Sequence, residues 1–209
     1  SAASDVYKRQ AKAMIVKIKR GAAEKPKMPE IKERSDSQKS SGGIEALSKE
    51  GIRPIAFRHE RGAVMAADGY ARVSDRKNIG VVAMQSQAGA ENSAGGLAQA
   101  NADNIPILVL PGGNPLNMLF VRPNYFAVNS WTNVSRHAEF ITGPSETGNV
   151  MRRAFHRLRS SAPGPVVVEL PQDIVGQDIP ENALNYHSPR KVVGVPSAGD
   201  IADAAKALV

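Results

Sequence analysis

Arg58-His59-Glu60-Arg61-Gly62-Ala63, continuing into Ala67-Asp68-Gly69-Tyr70-Ala71-Arg72, puts a carboxylate where a short apolar stretch gives way to a helix rich in small residues. Arg53 to Phe57 reads as a strand before it and Glu60 to Arg72 as the helix. The alternation repeats with a strand at Ile79 to Met84, a helix at Ala90 to Ala102, and a strand at Ile107 to Leu110 closed by Pro111-Gly112-Gly113. An irregular stretch runs through about Trp131. A short strand at Phe140-Ile141 follows, then a helix from Glu146 to Arg159 with Val150, Ala154 and Leu158 four apart, and a strand from Pro165 to Leu170. Upstream, Ile44 to Lys49 reads as the end of a helix stopped by Gly51. Continuous apolar strands of this kind are buried on both faces, which requires helices on both sides of a parallel sheet. The expected fold is therefore a doubly wound, mainly parallel α/β sheet in three layers.

In such a sheet, ligands bind beyond the carboxyl ends of the strands. Glu60 is expected to follow the Arg53 strand directly, and Gln85 to Asn92 the Ile79 strand. A separation of about 25 to 30 residues is one βαβ unit, which brings neighbouring strand ends together. The two segments are therefore expected to share a pocket.

The formal net charge of +7 raises the question of a nucleic-acid partner, and its location bears on the answer. Residues 1 to 42 hold 11 Lys/Arg against 5 acids, a surplus of +6, leaving +1 for the other 167 residues. That basic, Ser-rich, aromatic-poor segment is expected to be disordered, since it has too little apolar surface to offset the entropy of ordering. A nucleic-acid-binding tail is the competing reading, but the segment lacks interleaved aromatics and mixes Glu with Lys. Asp5-Val6-Tyr7-Lys8-Arg9-Gln10 resembles the translated end of a transposon adapter, a processing scar outside the fold. The composition holds no run of about 18 apolar residues and no signal peptide, so the default expectation is a cytoplasmic protein with no membrane partner. Zero cysteines exclude disulfide and thiolate chemistry. His137, His156 and His187 show no metal-ligand spacing with carboxylates.

The first stretch, then Val81 to Asn92, then Asn104 to Gly113, resemble in that order the pyrimidine-binding domain of thiamine-diphosphate enzymes. The closest pattern is that of the acetolactate-synthase-like branch: H-E-x-(G/T)-A-x-x-x-A-D-G-Y-A-R, then G-P-G-x-x-N, then D-S-(I/V)-P-(I/L)-L-x-L-x-G. The resemblance spans roughly Ile44 to Val209. It divides the chain into residues 1–42, non-native or disordered; residues 43–182, the pyrimidine-binding domain; and residues 183–209, a linker and the start of a central domain. The family's usual opening of helix, strand and glycine-proline turn is not legible in residues 11 to 42. Ser197 to Val209 reads as an Asp-capped amphipathic helix cut in its third turn, so the chain is expected to be a fragment at both ends.

The resemblance implies thiamine diphosphate as cofactor, with Mg²⁺ held through a separate domain and FAD possible in the full-length enzyme. It implies a 2-oxo acid substrate, with decarboxylation and carboligation, in a homodimer or homotetramer. Deprotonation of the thiazolium C2 by the cofactor's own 4′-imino group needs a carboxylic acid hydrogen-bonded to N1′, and the resemblance gives that role to Glu60. A desolvated glutamate with a raised pKa could exchange that proton near neutrality. On the residues alone, an acid favoured by a helix dipole explains Glu60 equally well. Gln87-Ala88-Gly89-Ala90-Glu91-Asn92 aligns with G-P-G-x-x-N, which makes Gln85, Ala88, Gly89 and Asn92 pocket residues beside Glu60. Gln87 and Ala88 replace a Gly and a Pro there, leaving the turn less predetermined.

His59 points to another face than Glu60 and is read as packing or solvated. Asp68, Tyr70 and Arg72 are assigned to an internal ion pair or hydrogen-bond network, and Trp131 with Tyr125 and Phe126 to local packing. Gly95-Gly96 inside a helix implies close contact, at a dimer interface by resemblance or within the chain. Where dedicated acetolactate synthases usually carry a Phe-Gln pair, Tyr125-Phe126-Ala127-Val128 stands, which leaves the substrate open. No G-D-G segment with its following Asn is present, so the isolated chain is expected to be inactive and to bind the cofactor weakly. The alternative reading is a non-catalytic split domain that assembles with a separate diphosphate-binding subunit.

Overall fold

The computed structural model describes Leu47 and residues 52–175, 177–184, 186–187 and 194–208; the expectations for residues 1–42 lie outside them. Of the helix expected at Ile44 to Lys49 only Leu47 is described; it is helical, and its carbonyl accepts from Ile52 N–H at 2.9 Å.

Four parallel strands form the sheet: β1 (Gly80–Met84), β2 (Ile107–Gly113), β3 (His137–Phe140) and β4 (Val166–Pro171), in the order β1-β2-β4-β3. Helix α1 (Glu60–Val73) precedes β1, α2 (Ala88–Ala102) joins β1 to β2, and the short α3 (Ala127–Ser130) stands between β2 and β3. Helix α4 (Thr147–Leu158) joins β3 to β4, followed by α5 (Gln172–Val175) and α6 (Ala198–Ala207).

The strand residues alternate between two cores. Leu108, Val166 and Val168 pack with Val150, Met151, Ala154, Phe155 and Leu158 on one face, while Ile107, Val109 and Val167 pack with Val64, Leu97, Ala100 and Trp131 on the other. Side chains two apart on a strand share a face, so each half of the pattern demands its own helical layer. The three-layer α/β arrangement follows.

Several boundaries differ from the sequence reading. Arg53 to Phe57 is not a strand: it is exposed and unpaired, with Ile55 68% and Phe57 48% accessible. Pro54 lacks the N–H a ladder needs, and no face of the segment is covered among the described residues. β1 is buried on one face only, with Val81 and Ala83 exposed on the other, where α4 packs chiefly on β2, β3 and β4. β2 continues through Pro111 to Gly113, pairing Pro111 with Met84 and Gly112 with Leu170. β3 begins at His137, three residues earlier than expected. The helix expected from Glu146 starts with a 3₁₀ turn at Pro144–Glu146. Ser197, not an Asp, caps α6, and Asp200 reciprocates in a capping box with 3.1 Å and 3.0 Å bonds.

Helices α1 and α2 cross closely because α2 has no side chain at the crossing. A Cβ on Gly96 would stand 2.9 Å from Val64 Cγ1, and one on Gly95 would be 3.2 Å from Arg61 Nη2. Gly95-Gly96 thus serves an intrachain contact. Asp68 and Arg72 form the expected ion pair at 2.9 Å, which Asp103 at the end of α2 extends at 2.7 Å. Tyr70 stays half exposed.

Candidate functional site

Glu60 is the first residue of α1, and its direction is set one residue earlier. His59 is the N-cap, extended at φ −142° and ψ 132°, with Nδ1 accepting from Arg61 N–H at 3.2 Å. His59 therefore has a local structural role that the sequence reading missed, and that role aims Glu60 toward α2. There Asn92 Nδ2 donates to Glu60 Oε2 at 3.2 Å. Gly89 closes the arrangement: a Cβ on it would stand 3.4 Å from Glu60 Oε1 and 3.1 Å from Gln85 Cβ. Glu60, Gln85, Gly89 and Asn92 thus meet at the carboxyl end of β1, and Ala88 is the exposed first residue of α2 beside them.

The charge state differs from expectation. Glu60 is held below the usual carboxylate range, first by a hydrogen bond from its own backbone N–H at the helix start, then by the Asn92 amide, with nearby His59 in the same direction and burial opposing. The expected rise by desolvation does not occur in this chain, because Asn92 and Gln85 are exposed and the carboxylate is only partly covered.

A second carboxylate escaped the sequence reading. Glu169 on β4 is 2% accessible and its pKa is pushed up to about 7, chiefly by burial. Backbone N–H groups of Val128, at 3.0 Å to Oε2, and of Ala127 partly offset the burial. Its carboxyl fits only because Gly113 across the sheet is bare: a Cβ there would stand 2.9 Å from Glu169 Cγ and Oε1. The signal was a lone acid inside Val166-Val167-Val168-Glu169-Leu170.

The segment between β2 and α3 returns over the turn at Gln87. Tyr125 packs edge-on to the buried Trp131 with ring centres 6.4 Å apart, and Phe126 lies 5.5 Å from Phe140, as local packing. An open groove of ≈ 310 Å³ on this segment is lined by Phe120, Arg122, Phe126 and Asn129 among others, and does not include Glu60 or Asn92. No helix among the described residues is long and apolar enough to cross a membrane.

Residues 38–123, which contain the whole Glu60–Asn92 arrangement, match the family described as thiamine pyrophosphate enzyme, N-terminal TPP binding domain. The chain belongs to this family. It is 34% identical over 145 residues to an acetolactate synthase of Arthrospira platensis and 36% identical over 146 residues to the acetolactate synthase isozyme 3 large subunit of Escherichia coli. Each match covers 68% of this chain, which spans about a quarter (24%) of either relative's length. An X-ray structure from Mycobacterium smegmatis, assigned to the thiamin diphosphate-dependent enzymes, superposes with a TM-score of 0.68 over 84% of this chain and 33% of its own, at 21% identity. That likeness shows the fold. Of the residues singled out by their sequence pattern, Gly89 and Asn92 are the two that the start of α2 places against Glu60 of α1.

Proposed function

We propose that the chain supplies the pyrimidine-binding half of a thiamine-diphosphate site in an acetolactate-synthase-like enzyme acting on 2-oxo acids. The observation that carries this reading is the Glu60 carboxylate, paired with the Asn92 amide and facing the bare backbone of Gly89. A Cβ at position 89 would fill the space against Oε1, so the residues present fit a flat heteroaromatic ring laid over that turn. Bound there, the cofactor would supply the nucleophilic carbon and electron sink for 2-oxo acid decarboxylation and carboligation.

This chain's residues would bind and orient the ring. Glu60 would hold a proton on its carboxyl against a ring nitrogen, while Asn92 fixes the carboxyl plane. Covering the carboxylate with the ring removes its water, which opposes the lowered pKa of the free chain and favours the protonated acid. The diphosphate, with Mg²⁺, would be held by a separate domain, within a homodimer or homotetramer, and the isolated chain would be inactive. FAD in the full-length enzyme remains part of the same proposal.

Titration of thiamine into the 209-residue chain, followed by NMR of the pyrimidine protons, tests the reading without the charged end of the cofactor. Glu60→Gln and Asn92→Ala are each expected to weaken binding by about tenfold, the net worth of one hydrogen bond. Equal affinity of both variants and the parent would sink the assignment. Calorimetry in buffers of different ionisation enthalpy adds a second readout: proton uptake on binding, absent in Glu60→Gln.

A further inference from the structure

Gln87 sits at φ 62° and ψ −117°, a backbone conformation that glycine adopts freely and a side chain with a Cβ adopts under strain. Such a conformation persists only where the surroundings over-determine it. Here the surroundings are the residue's own carboxamide. Its Nε2 donates to Asn114 Oδ1 at 3.1 Å and to Asn124 Oδ1 at 3.2 Å, and its Oε1 accepts from Tyr125 N–H at 3.2 Å. Asn114 Nδ2 in turn donates to Tyr125 O at 3.1 Å, closing a ring of polar contacts between the turn and the 114–125 segment. On the other side, Gln87 O accepts from Glu91 N–H at 2.9 Å in the first turn of α2, the turn that presents Gly89 and Asn92 to Glu60.

We propose that Gln87 is a positioning residue of the pyrimidine site: its carboxamide clamps the 114–125 segment and thereby holds the strained turn from which α2 presents Gly89 and Asn92 to Glu60. The inference rests on the site reading above, but its first test does not require a ligand. A glycine would take the same dihedrals without support. In this chain, the conformation of the turn depends on a segment far along the sequence, so the order of that segment and the readiness of the site are linked.

Amide hydrogen exchange on the 209-residue chain decides the clamp. In Gln87→Ala, which keeps the strain and loses the carboxamide, both the Tyr125 and Glu91 amides are expected to exchange about tenfold faster. In Gln87→Gly, which loses the carboxamide and the strain together, Tyr125 should speed up equally while Glu91 stays within about threefold of the parent. A Glu91 amide unchanged in Gln87→Ala overturns the proposal, as does one equally accelerated in both variants, which would mark general loosening. Thiamine affinity read by NMR should follow Glu91 and not Tyr125: weakened in Gln87→Ala, largely retained in Gln87→Gly. A parent chain that binds no thiamine would overturn the site reading, and the exchange pattern would still decide whether Gln87 holds the turn.

Discussion

Glu60 and Glu169 both lie toward the carboxyl ends of the strands, accept backbone hydrogen bonds and face a glycine, yet their pKa values move in opposite directions. Glu60 at the start of α1 has only partial cover and gains more from its own backbone N–H and Asn92 than burial costs. Glu169 has comparable donors in Val128 and Ala127 but sits between two packed layers, and burial wins. Hydrogen bonding alone therefore does not set a carboxylate's charge. The amount of water excluded decides whether the donors suffice.

The largest expected effect breaks the comparison on its buried side. Glu169 binds its proton more tightly in the folded state, about 7 against 4.5, so its stabilising contribution is complete below the unfolded value and lost as pH rises through the folded one. That shift corresponds to about 3 kcal/mol between pH ~4.5 and pH ~7. Glu169→Gln keeps an oxygen to accept from Val128 and cannot ionise. Urea unfolding should find it near the parent's stability at low pH and up to about 3 kcal/mol more stable than the parent above pH ~8. A gap that does not change with pH would mean Glu169 does not titrate in this window.

Gly113→Ala attacks the same side through space. Its Cβ would press on Glu169 Cγ and Oε1 at 2.9 Å, and a strand backbone leaves little room to give, so a loss of about 1–3 kcal/mol is expected. Gly69→Ala is the control: nothing lies within 4 Å of its Cβ and the site is inside α1, so a gain of about 0.5–1 kcal/mol is expected from helix propensity. Equal effects of the two substitutions would remove the case that bare backbone at Gly113 makes room for Glu169.

The sequence made the sheet legible wherever strands are buried on both sides. β2 and β4 were legible as strands, though not the extension of β2 through Gly113, because every residue of Ile107 to Leu110 and Val166 to Val168 is apolar, whichever core it faces. The Arg53 to Phe57 segment is apolar only at Ile55, Ala56 and Phe57, beside Arg53 and Pro54, and so short an apolar run does not say whether a neighbour exists to pair with it. Glu60, Gly89 and Asn92 were legible as a spaced pattern, and the packing of α1 on α2 at Gly96 brings them together. The lowered pKa of Glu60 was not legible, because it depends on the cover the folded chain leaves off. Glu169 was visible as an acid among valines, but its partners lie on a segment about 40 residues away that periodicity does not place.

Asn92→Ala gives the smallest effect and the sharpest test of the exposed side. Glu60 has two donors that hold its pKa down, its own N–H and Asn92 Nδ2, and the substitution removes only the second. The Glu60 carboxyl carbon followed by NMR should therefore titrate higher than in the parent, yet still below an ordinary glutamate, since the backbone bond is the larger cause. Stability should change by less than about 0.5 kcal/mol, as both side chains reach solvent. If instead the titration does not move, the 3.2 Å contact is one of mere proximity, and the amide does not fix the carboxyl plane against which a ring would stack. If it moves up to the ordinary value, the helix start contributes nothing, and the direction of Glu60 in the free chain rests on Asn92 alone.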